Sequence, residues 1–248
     1  MNVSDLDSFK AILFDLDSTL THTNHYPIRA SELLLQRILK DPSEILEEYV
    51  TKLVQNYQQE IRSIVRGAAY KSPFYMIRDA TKLALFSMKL EVEDKIIDEG
   101  TTVLKNLHIE MSELANGTLE ILTRIRNLGI PMGVITNSFE GNAQIILRKL
   151  GVSGFFEVIV DGGVVKAFKP MPQPFQFAMT HLGSKPENTL FVGDEFVADI
   201  IGGKSIGLTC IWVNNRGLGL DNILAKYGSH FAPDLVVSSL SEVLRFLP

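Results

Sequence analysis

Two aspartates one residue apart, Asp15 and Asp17, close the stretch AILFDLD, and a Ser-Thr pair follows at Ser18 and Thr19. Apolar residues that read as a buried strand therefore end by aiming carboxylates beyond the strand's carboxyl end, where open α/β sheets carry their functional crevice. Three further stretches put reactive side chains in comparable places. GVITNS carries Thr136 and Asn137 straight after another apolar run, where a hydroxyl and free backbone N–H groups can hold an anion. AFKPMPQPF sets Lys169 ahead of Pro170, Pro172 and Pro174, which makes it a cation in a stiff loop before a helix. LFVGDEFVAD places Asp194 at the end of a third run, after a glycine that permits a tight turn, with Asp199 five residues on. Each stretch alone has an ordinary explanation, as a turn, a helix cap or a solvated lysine. Their combination and order are what carry information.

The elements that must position these residues are short apolar, β-branched runs at 11–15, 132–136, 156–160, 189–193, 209–213 and 235–239. Unbroken apolar character suits strands covered on both faces, as in parallel sheets. Helical periods fill the gaps from residue 116 onward, and two of them end at Gly129 and Gly151, placed to take a left-handed conformation. Alternating strand and helix predicts an α/β fold with a doubly wound, mostly parallel sheet. Between Leu20 and Ala115 only helix signals appear. One helix is expected from Asp41 as N-cap, with Pro42 and Glu44 behind it, and another from Ser72 and Pro73. That interval is too long for a crossover connection. It reads as an all-helical domain, 21–114, inserted into an α/β core formed by 1–20 and 115–248.

The chain has 248 residues, 46% hydrophobic and 21% charged, with a net charge of −5 and no long basic run, so nothing favours a nucleic-acid partner. The one cysteine, Cys210, lies in the apolar run LTCIWV and reads as a core residue. No apolar stretch approaches the ~20 residues of a membrane helix, and the start MNVSDLDSFK is unlike a secretory signal. A cytoplasmic protein with no membrane partner is expected; its oligomeric state is not readable.

Taken together, DLDST (15–19), Thr136 in VITNS, Lys169 in FKP and GDEFVAD (193–199) resemble, in order, the four motifs of the haloacid dehalogenase superfamily of phosphohydrolases. The resemblance spans the chain, with the helical insert matching the family's cap between the first two motifs. KPMPQPF and the run from Gly193 to Gly207 resemble further the subgroup that includes phosphoglycolate phosphatase.

The resemblance implies that Asp15 is a nucleophile forming an aspartyl-phosphate and that Asp17 is the general acid and base. It implies Mg²⁺ held by the Asp15 and Asp194 carboxylates and the Asp17 carbonyl. Lys169 would neutralise the phosphoryl oxygens and hold Asp15 in line, while Thr136 and N–H groups around Asn137 bind the same oxygens. Asp199 would support Lys169 or a metal-bound water. Glu195 stands where the family commonly has serine and is left out of the site. The implied activity is hydrolysis of a small phosphorylated metabolite. Asp17 argues against dehalogenation, because dehalogenating members lack an acid there. A sugar-phosphate mutase of the same family and a non-catalytic phospho-ligand sensor stay open as alternatives. Arg66, Tyr70 and Lys71 lie at a bend within the insert, within conceivable reach of a substrate's polar end, and His22, Asn24 and His25 lie at its hinge. For all six the preferred reading is that they are solvated surface and hinge residues with no part in binding substrate.

Overall fold

The computed structural model describes residues 9–22 and 25–246. The first apolar run forms β1 (Ala11–Phe14), and a two-residue ribbon follows, β2 (Thr21–His22) antiparallel to β3 (Glu113–Leu114). Between the ribbon's strands run four helices, α1 (Tyr26–Leu35), α2 (Leu46–Val65), α3 (Pro73–Ser87) and α4 (Asp94–Met111). After it the chain alternates: α5 (Thr118–Asn127), β4 (Met132–Ile135), α6 (Asn142–Lys149), β5 (Val158–Val160), α7 (Gly162–Val165), α8 (Pro172–His181), β6 (Thr189–Gly193), α9 (Gly202–Ser205), β7 (Thr209–Val213), α10 (Leu220–Tyr227) and β8 (Leu235–Val237).

Every predicted strand is present, and all six lie parallel in the order β5-β4-β1-β6-β7-β8. The chain leaves β1 toward β4 on one side and returns to β6 on the other, so the strand order reverses at β1, where a crevice opens. The unbroken apolar runs are explained by burial on both faces. Ile12 and Phe14 pack with α5 and α6 through Ile121, Ile125 and Ile146, while Ala11 and Leu13 face Phe175 and Ala178 of α8. Trp212, wholly buried, fills the second face beside Phe196. Cys210 lies in that face as expected, and burial pushes its thiol pKa up. Gly129 and Gly151 both take positive φ at the predicted helix ends.

Helices α1–α4 gather a third apolar cluster of their own, with Leu34, Tyr49, Leu53, Ile77, Ala84 and Leu104, joined from the sheet side by Phe139. Two expectations here need correction. The ribbon between β2 and β3 lies where no strand was expected; two residues per strand are too few to leave a periodic signal. Helix α2 begins at Leu46, because Asp41 accepts the N–H of Ser43 at 3.0 Å and closes a local turn instead of capping the helix. Helix α3 does start at Pro73 after Ser72, although the Ser72 side chain makes no capping bond. Among the described residues, no helix is long and apolar enough to cross a membrane.

Candidate active site

At the end of β1 the chain turns sharply. The Leu16 carbonyl accepts the N–H groups of Thr19, Leu20 and Thr21 at 3.4, 3.0 and 3.0 Å, and the Thr21 hydroxyl at 3.1 Å. Leu16 plugs the core, Ser18 takes a left-handed φ of 63°, and Asp15 and Asp17 both come to line one cavity of about 230 Å³. The same cavity is lined by Thr136, Asn137, Lys169, Asp194 and Asp199, so all seven expected residues meet there.

Asp15 and Asp194 are neighbours because β1 and β6 are: the Asp15 N–H bonds the Val192 carbonyl at 2.9 Å. Lys169 reaches in from the loop before α8, fully buried, with Nζ 2.6 Å from Asp15 Oδ1 and 2.7 Å from Asp199 Oδ1. Asp199 spends its other oxygen on the Glu195 N–H at 2.9 Å. It reaches that position along a π-helical turn, Phe196–Ile201, tucked so close to β6 that a Cβ on Gly193 would meet Asp199 Oδ2 at 2.3 Å. Only glycine fits there.

The charges do not balance. Burial pushes Asp15 up to about 7 against the pull of Lys169, with Asp199 and Asp17 adding to the rise. Burial, then Asp15, Asp199 and Glu195, push Asp194 up to about 9, with Arg216 opposing. Burial disfavours the Lys169 ammonium, yet Asp15 and Asp199 outweigh it and hold its proton more tightly than water does. Asp15 Oδ2 is buried with no hydrogen-bond partner, and carboxylate oxygens of Asp15, Asp194 and Asp199 lie within 4.8 Å of one another. An orphaned carboxylate oxygen among crowded acids is the donor set a small hard cation fits. Asp15 and Asp194 have oxygens to give it; Asp199 is already committed to Lys169 and the Glu195 backbone.

Asn137 does more than the sequence suggested. Its side-chain amide brackets Lys169, donating to the Lys169 carbonyl and accepting the Lys169 N–H, both at 2.9 Å. The side chain thus fixes the lysine loop, and only its backbone N–H is left for a ligand. Thr136 accepts the Ser138 N–H at 3.1 Å, with its hydroxyl 3.4 Å from Asp17 Oδ2.

Residues from the helices also reach the cavity, though not the three at the bend. Lys71 is held by Glu60 at 2.8 Å and Asp79 at 2.9 Å, Tyr70 donates to Glu140, and Arg66 is exposed. None of the three lines the cavity; Tyr26 and Tyr57 do. Helix α2 is twenty residues long, so its middle rather than its end lies over the site, and Tyr57 donates to the Asn137 carbonyl at 3.2 Å. His22 and His25 are exposed, and Asn24 lies outside the described residues. Sequence reading also missed His108, 2.8 Å from Asp17, and Arg216, whose guanidinium lies 3.0 Å from Glu195 and 3.7 Å from Asp194. It missed the Trp212 indole, which donates to the Asp194 carbonyl at 2.9 Å. For His108 a signal existed: it continues the stripe of Ile97, Thr101 and Leu104 on the buried face of α4.

A protein-family model described as haloacid dehalogenase-like hydrolase matches residues 9–207. A glyceraldehyde 3-phosphate phosphatase of Methanothermobacter thermautotrophicus is 27% identical over 207 residues, covering 84% of this chain and 86% of its own. A phosphoglycolate phosphatase of Neisseria meningitidis is 27% identical over 244 residues, covering 98% and 95%. Among solved structures, the hydrolase YfnB of Bacillus subtilis, bound to magnesium, superposes with a TM-score of 0.77 at 20% identity, covering 96% of this chain and 98% of that one. With an Asp-Asp-Thr-Lys-Asp set at the strand ends of a parallel sheet and a family match over most of its length, the chain belongs to the haloacid dehalogenase-like hydrolases.

Proposed function

We propose that the chain is a magnesium-dependent phosphomonoester hydrolase that acts on a small phosphorylated metabolite through an aspartyl-phosphate. The observation that carries this reading is the state of Asp15, which lines the cavity: one oxygen is pinned by Lys169 at 2.6 Å, and the other is buried and unpartnered. A carboxylate so held is oriented for in-line attack and has little water to shed.

In this reading the Asp15 carboxylate attacks phosphorus and the P–O ester bond breaks, its electron pair going to the leaving oxygen, which takes a proton from Asp17. Asp17 then takes a proton from water, whose oxygen attacks phosphorus and frees Asp15. Lys169, Thr136 and the backbone N–H of Asn137 stabilise the phosphoryl oxygens. Asp15, Asp194 and the Asp17 carbonyl would hold Mg²⁺, which when bound offsets the repulsion between these carboxylates and an incoming phosphate. The α1–α4 segment, 21–114, serves as a lid over a core of 1–20 and 115–248. Its grip through Tyr26 and Tyr57 leaves room for a metabolite rather than a phosphoprotein. In the same reading the enzyme works in the cytoplasm, where a free thiol such as that of the buried Cys210 persists.

The test is release of phosphate from p-nitrophenyl phosphate with Mg²⁺ and with a chelator. Turnover with metal, lost on chelation and in Asp15→Asn, is expected. Full turnover by Asp15→Asn refutes the nucleophile, and ligand binding without turnover in the native chain refutes the enzyme.

A further inference from the structure

His108 is fully buried on α4, its ring between Tyr26 at 4.9 Å and Phe139 at 6.2 Å between centroids. Such a place suits mere packing, and its two nitrogens decide the matter. Nδ1 lies 3.1 Å from Asn142 Nδ2, and the same Asn142 atom lies 2.9 Å from the Lys105 carbonyl. A carbonyl oxygen only accepts, so that atom of Asn142 is its amide nitrogen and donates to both partners. Nδ1 is therefore the bare acceptor. The ring proton sits on Nε2, which donates to Asp17 Oδ1 across 2.8 Å.

The frame that holds this ring is rigid. Beyond the Asn142 bond, Lys149 of α6 donates to the carbonyls of Ile109, Glu110 and Ser112 at 2.9, 2.6 and 3.2 Å. The carboxyl end of α4 is thereby fastened to a helix packed on the sheet. We propose that His108 is a positioning residue for Asp17: its fixed Nε2–H ties down Oδ1 and presents Oδ2, beside Thr136, as the oxygen that passes the proton. The inference rests on Asp17 as the acid and base of the proposed function. A carboxylate free to rotate offers either oxygen in many directions; one anchored at Oδ1 meets the leaving group in a single geometry, where proton transfer is effective.

The experiment compares kcat/KM for glycerol 3-phosphate, whose alkoxide must be protonated as it leaves, with p-nitrophenyl phosphate, whose phenolate leaves without that help. His108→Leu fits the same space without a donor and is expected to lose at least about tenfold more on the alkyl ester than on the aryl ester. His108→Gln, whose amide can donate from a similar position, restores most of the difference. Equal losses on the two esters, or Gln behaving as Leu, overturn the positioning role. Histidine ¹⁵N spectra of the native chain give a readout that needs no variant to fold with full activity: Nε2 protonated and Nδ1 bare supports the contact, the reverse overturns it. A native chain silent on both esters overturns the functional reading and takes the positioning role with it. An active native chain with equal losses overturns the positioning role alone.

Discussion

Lys169 Nζ lies 2.6 Å from Asp15 Oδ1 although 154 residues separate them in the chain, and neither side chain is more than 9% exposed. A buried pair of this kind contributes little net stability, but removing one partner strands the other. Lys169→Met leaves Asp15 and Asp199 buried without a counter-charge, and a loss of about 3–5 kcal/mol in unfolding free energy is expected. Lys169→Arg is not a rescue, because the planar fork does not fit a site built for a point charge. Urea unfolding and phosphate release measure both effects. A Met variant as stable and active as the native chain contradicts the role given to the pair.

The acids give the site a signed pH dependence. Asp15 and Asp194 are raised to about 7 and about 9 in the folded chain, above the usual carboxylate range near 4. Without metal, the folded state keeps protons that the unfolded state has released, so stability falls as pH rises through that window. In chelator, the melting temperature should drop between pH 5 and pH 9, and Asp194→Asn should flatten the fall. Added Mg²⁺ should raise it more at pH 8 than at pH 5, since ligand carboxylates bind metal deprotonated. A melting temperature that climbs with pH in chelator, or a magnesium effect that shrinks with rising pH, would count against the site.

Asn137 ties the second and third motifs together through its two bonds to the Lys169 backbone. Asn137→Ala leaves that N–H and carbonyl unpaired, at a cost of about 1–3 kcal/mol. Because the lysine loop loosens, kcat/KM for p-nitrophenyl phosphate should fall by about tenfold or more. Denaturant midpoint and steady-state kinetics check this together; two unchanged values would show the bracket to be dispensable.

What could be read from the chain follows from distance along it. The strands were visible because both faces of each are buried, and Asp15, Asp194 and Thr136 because strand ends converge wherever parallel strands do. Lys169 was legible from its prolines. The contacts that cross between layers were not: His108 lies 91 residues from Asp17, and Tyr57 lies 80 from Asn137. Nothing local marks such a pair, since the packing of the four helices on one another and of α4 on α6 decides which side chain of each helix arrives. The bend at Arg66, Tyr70 and Lys71 stays away from the cavity, in line with the reading preferred for it: ion pairing with Glu60 and Asp79 keeps Lys71 within the helices.

The charge around the cavity bears on the leaving group. Its described lining holds five carboxylates, Asp15, Asp17, Asp194, Glu195 and Asp199, against one lysine, with Arg216 close to Glu195 and Asp194. One dication and Arg216 leave this side of the site at best near neutral, before a phosphate dianion enters. The helices add only Tyr26 and Tyr57, whose phenols burial and the charge of Asp17 keep protonated. Phenols grip hydroxyls and carbonyls; they offer a second anion no counter-charge. At an effective dielectric of about 20, one extra unit charge about 7 Å from an unbalanced carboxylate costs about 2 kcal/mol, which is more than tenfold in kcat/KM. Phosphate esters of uncharged polyols or hydroxyaldehydes should therefore be hydrolysed at least tenfold more efficiently than phosphoglycolate, whose leaving group carries a carboxylate. Tyr57→Arg should narrow that gap by supplying the missing cation. Equal kcat/KM for glycerol 3-phosphate and phosphoglycolate in the native enzyme would show that charge at the leaving group is not what this cavity selects.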